Sequence, residues 1–211
     1  MKNDIWDRLD PWLARHAQEL WAVMNPPATM AQIEAAEHRL GHALPADVRA
    51  AYLRHGGTAD STREDGPYFF HYAAWCSLEA MVEDWESHCK LIRTCREDPG
   101  YAELFPEEDE SWRDLEVRPE WGSPNRIPLG RTNTANTLFI DLQPGPAGVR
   151  GQLLTDGGMG EAKVVASSLG QYLETLWARI EQDQIWWHPD KGWVIAATGA
   201  HLLGWNPLYG M

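Results

Sequence analysis

A chain of 211 residues, 44% hydrophobic and 23% charged, is long enough to bury a core without disulfides or metal. Thirty-one acids against 18 Lys plus Arg give a net charge of −13, a field that repels nucleic-acid phosphates and anionic lipid and favours a basic partner. No stretch is apolar for long enough to span a bilayer, the N-terminal residues lack the pattern of a secretory signal, and Cys76, Cys89 and Cys95 have neither zinc nor disulfide spacing; a reduced, cytoplasmic protein is expected, with no nucleic-acid or membrane partner.

In chain order, Ile5, Trp6, Leu9, Leu13, Leu20 and Trp21 recur at helical spacing, with Asp10-Pro11 read as a cap and first helical position. Asn25-Pro26-Pro27 breaks the chain. Thr29 and Gln32 then form a capping box for a helix carrying Met30, Ile33, Ala36 and Leu40, with Glu37 as a polar exception and Gly41 as its C-terminal cap. Pro45 opens a helix that turns Val48, Ala51 and Tyr52 inward and stops at Gly56-Gly57. Pro67 to Tyr72 is aromatic and reads as a strand. Ser77 caps a long helix whose stripe is Leu78, Met81, Val82, Trp85, Cys89, Ile92 and Cys95, which gives its thiols a buried home.

Residues 97–120 are dense in acids and interrupted by Pro99, Pro106 and Pro119, so they read as a solvated insertion loop with one short helical turn. Short strands follow at Arg126–Leu129, Thr137–Leu142, Gly151–Thr155 and Ala162–Ala166, with a turn at Asn133–Asn136, as in an antiparallel sheet. Ser168 and Gln171 cap a helix with Leu169, Tyr172, Leu173, Leu176, Trp177 and Ile180 on its inner face. The tail places Pro189-Asp190-Lys191-Gly192 between two Trp-rich arms, a hairpin pattern. The fold class predicted is α+β. It is a single domain with a mostly antiparallel sheet, about four flanking helices and a C-terminal Trp-rich hairpin. Residues 1–185 form the domain, with the acidic insertion at 97–120, and residues 186–211 form the hairpin and tail packed on it.

The chemistry-bearing residues make no catalytic set. The eight histidines are scattered, and Gly41 ends the helix between His38 and His42, so no metal site is predicted. His88 and Cys89 are helix neighbours that point apart. Ser77 and Ser168 serve as helix caps. The Gly-rich stretch Thr155 to Glu161 lacks the Lys-Ser/Thr of a phosphate loop. No catalytic residue, metal or cofactor is predicted, which leaves a binding module. Asp141, inside Leu138-Phe139-Ile140-Asp141-Leu142, has no partner acid or histidine pair in sequence. It is expected to hold backbone N–H groups of the Pro144-Gly145-Pro146 turn, or to pair with Arg131 or Arg150.

Three segments carry a resemblance: "NPPATMAQIEAAEHRLGHALPADVRAAYLRHGG", "RIPLGRTNTANTLFIDLQPGPAGVRGQLL" and "VVASSLGQYLETL". In this order they resemble the SUKH superfamily, which includes fungal cell-wall assembly regulators and many bacterial immunity proteins. The resemblance runs from about Ile5 to Ile180 and leaves out residues 97–120 and the tail. His55-Gly56-Gly57 stands where the family has Asn-Gly. The resemblance implies an antiparallel sheet flanked by helices, with Asp141, Gly148, Gly151 and Gln152 as its structural motif and no catalytic residues.

The leading expectation it implies is a cytoplasmic immunity protein that binds and occludes a cognate, basic toxin. The alternative is a regulatory scaffold of cell-wall or envelope assembly, and a hydrolytic enzyme ranks last. The candidate partner surfaces are Glu107, Glu108, Asp109 and Glu110 with Trp112 as anchor, and the tail residues Trp186, Trp187 and Trp193, for which covering an exposed sheet edge ranks first. For each residue singly, a solvated acid or a Trp turned back onto the core is the stronger expectation.

Overall fold

The computed structural model describes residues 4–59, 67–70, 73–107, 109–132, 136–156 and 162–200. Six α-helices occur among them, α1 (Trp6–His16), α2 (Gln18–Val23), α3 (Met30–Leu40), α4 (Ala46–Arg54), α5 (Leu78–Glu97) and α6 (Leu169–Glu181). The predicted count was about four. The N-terminal stripe makes two of the six, because Ala17 leaves helical geometry at φ −133°, ψ 56°. Pro11 lies inside α1 rather than at its start, because Asp4 already accepts the Trp6 N–H at 3.2 Å and sets the first turn. The capping box at Thr29 forms as read, and Gly41 takes the left-handed φ of +69° that ends α3. Glu37 is polar for a reason: its carboxylate accepts the Leu44 N–H at 2.8 Å and faces Arg49 at 3.5 Å, tying α3 to α4.

Five strands form one antiparallel sheet in the order β1 (Ala74–Trp75), β2 (Arg126–Arg131), β3 (Asn136–Asp141), β4 (Gln152–Asp156) and β5 (Ala162–Ala166). The strand expected at Pro67 to Tyr72 is not found in its described part: Phe70 makes only an isolated bridge to Ala73, and regular pairing starts at Ala74. His71 and Tyr72 lie outside the described residues, as do Asn133 to Ala135. Pro128 sits in β2 without an N–H to give, and the β2–β3 register slips beside it.

The core joins the inner faces of the helices to this sheet. Trp75 is its aromatic centre, with Trp6 stacked at 5.8 Å and Phe69 at 5.3 Å. Met81, Val82 and Ile92 of α5 are buried as predicted, whereas Cys89 and Cys95 are only half-buried. The buried thiol is Cys76, just beyond β1.

The hairpin consists of β6 (Ile185–His188) and β7 (Gly192–Ile195), closed by the predicted turn. It forms its own two-stranded sheet and does not extend the larger one. Trp193 stacks on Trp12 of α1 at 5.7 Å, and its indole N–H donates to the Phe69 carbonyl at 3.1 Å. Trp187 donates to Glu19 of α2 at 3.2 Å. The inward tryptophans of the hairpin thus meet α1, α2 and the Phe69 segment that leads toward β1.

Candidate functional site

The three segments that carry the family resemblance meet in space. Gly151, at φ +91°, lies against Pro45, where an added Cβ would come to 3.2 Å. Asp47 of α4 caps α6 by accepting the Gly170 N–H at 2.8 Å. The β3–β4 turn is held from below by Asp141, which is 1% exposed. Its two carboxylate oxygens accept the Gln143 N–H at 3.1 Å and the Gln152 side-chain N–H at 3.0 Å. The Gln152 amide oxygen in turn accepts the Val149 N–H at 3.0 Å, and its Nε2 also donates to the Glu116 carbonyl at 2.8 Å.

This turn also anchors the far half of the acidic segment. Gly145 and Ala147 donate backbone N–H groups to the carbonyls of Glu116 and Leu115. Arg126 donates to the carbonyls of Arg118 at 2.7 Å and Glu120 at 3.1 Å. Gly145 and Gly148 must lack side chains, since a Cβ on either would meet a backbone oxygen, Leu115 or Glu116 respectively, at 2.2 Å. Burial lifts the Asp141 carboxyl above its ordinary 3.8, against the opposing pull of the Gln152 and Gln143 bonds and of Arg126 and Arg118. Arg131 meets Asp84 at 3.3 Å and Arg150 donates to the Leu142 carbonyl at 2.6 Å, so the partners of Asp141 are amides and not those two arginines.

A second polar cluster was not legible in the sequence. Asp10 of α1 accepts from Arg54 Nε at 2.6 Å and meets His55 Nε2 at 2.9 Å, with Trp6 and Trp21 packed edge-on against the imidazole. Burial would raise the Asp10 carboxyl, but the bonds from His55 and Arg54 outweigh it and leave it below 3.8. The cluster ties α1 to the end of α4. Burial raises the Cys89 thiol, the direction opposite to an activated one, with Arg93 opposing.

The predicted partner residues are not one surface. Glu107, Asp109 and Glu110 are exposed, and Glu108 lies outside the described residues. Asp109 starts a 3₁₀ turn at Glu110–Trp112 by accepting the Ser111 N–H at 2.8 Å. Trp112 is only 5% exposed and carries Arg118 over its ring at 5.6 Å, so it is turned back onto the body, away from the acids. Trp187 and Trp193, a directly opposed pair, are 3% and 1% exposed and face the core. Trp186, on the other side of the strand, remains 43% exposed beside His188. Strand alternation predicts that split once the inner face is known.

A concave surface that the sequence did not suggest lies between Asn25–Ala28, α3 and the first turn of α5. It is a groove of about 550 Å³. A smaller one of about 220 Å³ adjoins it across Ser77 and Glu79. Among the described residues no cluster of His, Cys, Asp or Glu could hold a metal ion, and no helix is long and apolar enough to cross a membrane.

A model of the SMI1 / KNR4 family (SUKH-1) matches residues 27–175. The chain belongs to this SUKH family. The match ends before the β6–β7 hairpin and begins after α1 and α2. Among curated relatives, the chain is similar to a cell wall biosynthesis/cell cycle regulator of Schizosaccharomyces pombe, 28% identical over 179 residues, covering 81% of this chain and 34% of that protein. It is 26% identical over 193 residues to the cell wall assembly regulator SMI1 of Saccharomyces cerevisiae, covering 80% and 38%. It is 26% identical over 194 residues to a glucan synthesis regulatory protein of Neurospora crassa, covering 80% and 36%. The SUKH chain described here thus spans little more than a third of the length of these relatives, which are named as regulators and not as enzymes.

Proposed function

We propose that this chain is a regulatory protein-binding domain of cell-wall or envelope assembly that acts by docking a partner and not by catalysis. The observation that carries the reading is the family match over residues 27–175 together with relatives named as regulators of wall assembly and glucan synthesis. The site chemistry fits it: the buried carboxylate of Asp141 is spent on amides and the half-buried one of Asp10 on Arg54 and His55, inside the scaffold. A cytoplasmic location belongs to the same proposal, since the three reduced cysteines suit a reducing compartment. Deleting the gene in its own organism should raise sensitivity to wall-perturbing compounds, and re-expressing the chain should restore resistance. Growth under wall stress indistinguishable from the parent would sink the regulatory role.

Neutralisation of a basic toxin remains a second reading, and the comparisons favour it less. Its support is electrostatic. Residues 77–120 hold fourteen acids against five Lys and Arg, which concentrates the negative field on α5 and the segment after it, where it would speed capture of a basic protein. Co-expression with the neighbouring open reading frame tests it. Rescue from a toxic neighbour favours neutralisation, and a harmless neighbour removes it.

A further inference from the structure

We infer that the paired grooves at the start of α5 form a docking trough for an extended, basic segment of a partner protein. The inference rests on the docking reading above and names the surface and the chemistry of what it takes. The two grooves share Ser77 and Glu79 and so run together over the first turn of α5.

One wall is rigid by construction. Asn25 donates its backbone N–H to the Gly57 carbonyl at 2.8 Å, and Gly56 donates to the Pro26 carbonyl at 2.9 Å. A Cβ on Gly56 would strike that same carbonyl oxygen at 2.7 Å. Pro26 and Pro27 have fixed φ, so this wall is pre-shaped and loses little freedom when a ligand binds. The opposite wall is α3, which places the small residues Ala35 and Ala36 between Gln32 and Arg39, facing Leu78 and Val82 of α5.

The charges decide the kind of partner. Both cations lining the trough are already matched, Arg39 by Glu86 at 2.9 Å and Arg131 by Asp84 at 3.3 Å. Glu79 and Glu83 are exposed, and neither takes a hydrogen bond or ion pair from another described residue. They stand one helical turn apart, about 5–6 Å between Cβ atoms. Residues i and i+2 of an extended chain project to one side about 6.7 Å apart. A segment with Lys or Arg at alternate positions can therefore reach both carboxylates, while small residues between them meet Ala35, Ala36 and Pro27. The local field of residues 77–120 adds long-range attraction for such a segment.

The probe is a fluorescein-labelled octapeptide of alternating Lys and Ala, with alternating Glu and Ala as control. Binding to the full chain is read by anisotropy and by amide chemical shifts. The trough predicts binding of the basic peptide alone, with shifts at Gln32, Ala35, Ser77 and Glu79. The double change Glu79→Gln and Glu83→Gln should weaken binding roughly two- to thirtyfold, the range of two exposed ion pairs. Ala35→Tyr, on an exposed position, should also weaken it by filling the groove. The pair Glu181→Gln and Asp190→Asn, elsewhere on the surface, should leave it within about twofold, as for screened distant charges. No binding, shifts confined to other elements, or equal losses for both neutralised pairs would overturn the trough. If a partner isolated from the native cells still binds the Ala35→Tyr chain, the trough is wrong while docking stands; if no partner is found and the peptide does not bind, both fall.

Discussion

Replacing Asp141 with alanine tests whether the family motif is a scaffold or a working site. The change removes the acceptor of one Gln152 side-chain N–H, which is sealed from water, and of the Gln143 N–H, which lies on an exposed residue. Each donor left unsatisfied costs about 1–3 kcal/mol. Part of that is offset, because the buried carboxylate is itself disfavoured in its charged form, as its raised pKa records. A net loss of roughly 1–2 kcal/mol follows, read as a lower urea midpoint with an unchanged slope in circular dichroism. The pH dependence has a definite sign. The folded carboxyl holds its proton to a higher pH than the ordinary 3.8 of the unfolded one, so proton uptake favours the folded state as the pH falls toward that value. The stability gap between wild type and Asp141→Ala therefore widens from neutral pH down to 3.8. A variant as stable as wild type that has lost its partner, or a gap that narrows on acidification, refutes the scaffold role.

Asp10→Asn should behave in the opposite way. Its folded carboxyl lies below 3.8, so the stability it adds is present above that value and is lost as the pH falls through the lower folded one; the gap between wild type and variant narrows in acid. Trp193→Ala should cost about 3–5 kcal/mol in urea unfolding, while Trp186→Ala on the outer face stays within about 0.5 kcal/mol. Gly148→Ala places a Cβ against the Glu116 carbonyl and should cost roughly 1–3 kcal/mol, with faster proteolysis after Arg118 as the anchored segment lifts off.

Much of the fold was legible because its signals are local. Thr29 with Gln32, Gly41, Ser77 and Ser168 each mark a helix end with groups only a few residues away, and all four behave as read. The β6–β7 turn is equally local. Misreadings came where a distant or backbone group decides. Asp10 meets His55 across 45 residues, and Asp47 caps α6 across 123. The helix α1 starts at Trp6, whose N–H is held by Asp4, and so takes Asp10 and Pro11 inside it. Trp112 turns back onto the body as expected of it singly, but its cause was not legible: the carbonyls of Leu115 and Glu116 bind the β3–β4 turn and draw that part of the chain inward. Main-chain acceptors leave no mark in side-chain pattern. The trough was missed for a similar reason: it is made by small residues, Ala35 and Ala36, and by a Pro-Pro wall that reads only as a helix breaker.

The central claim is that this protein works by holding another protein. It is tested most directly by isolating the tagged chain from its own cells at low salt and measuring its mass by size exclusion with light scattering. Docking through charge predicts a stoichiometric complex with a second protein that separates at high salt, as screening removes the attraction. A chain that runs alone at its own 23.9 kDa at every salt concentration, even after cross-linking in the cells, would contradict the account.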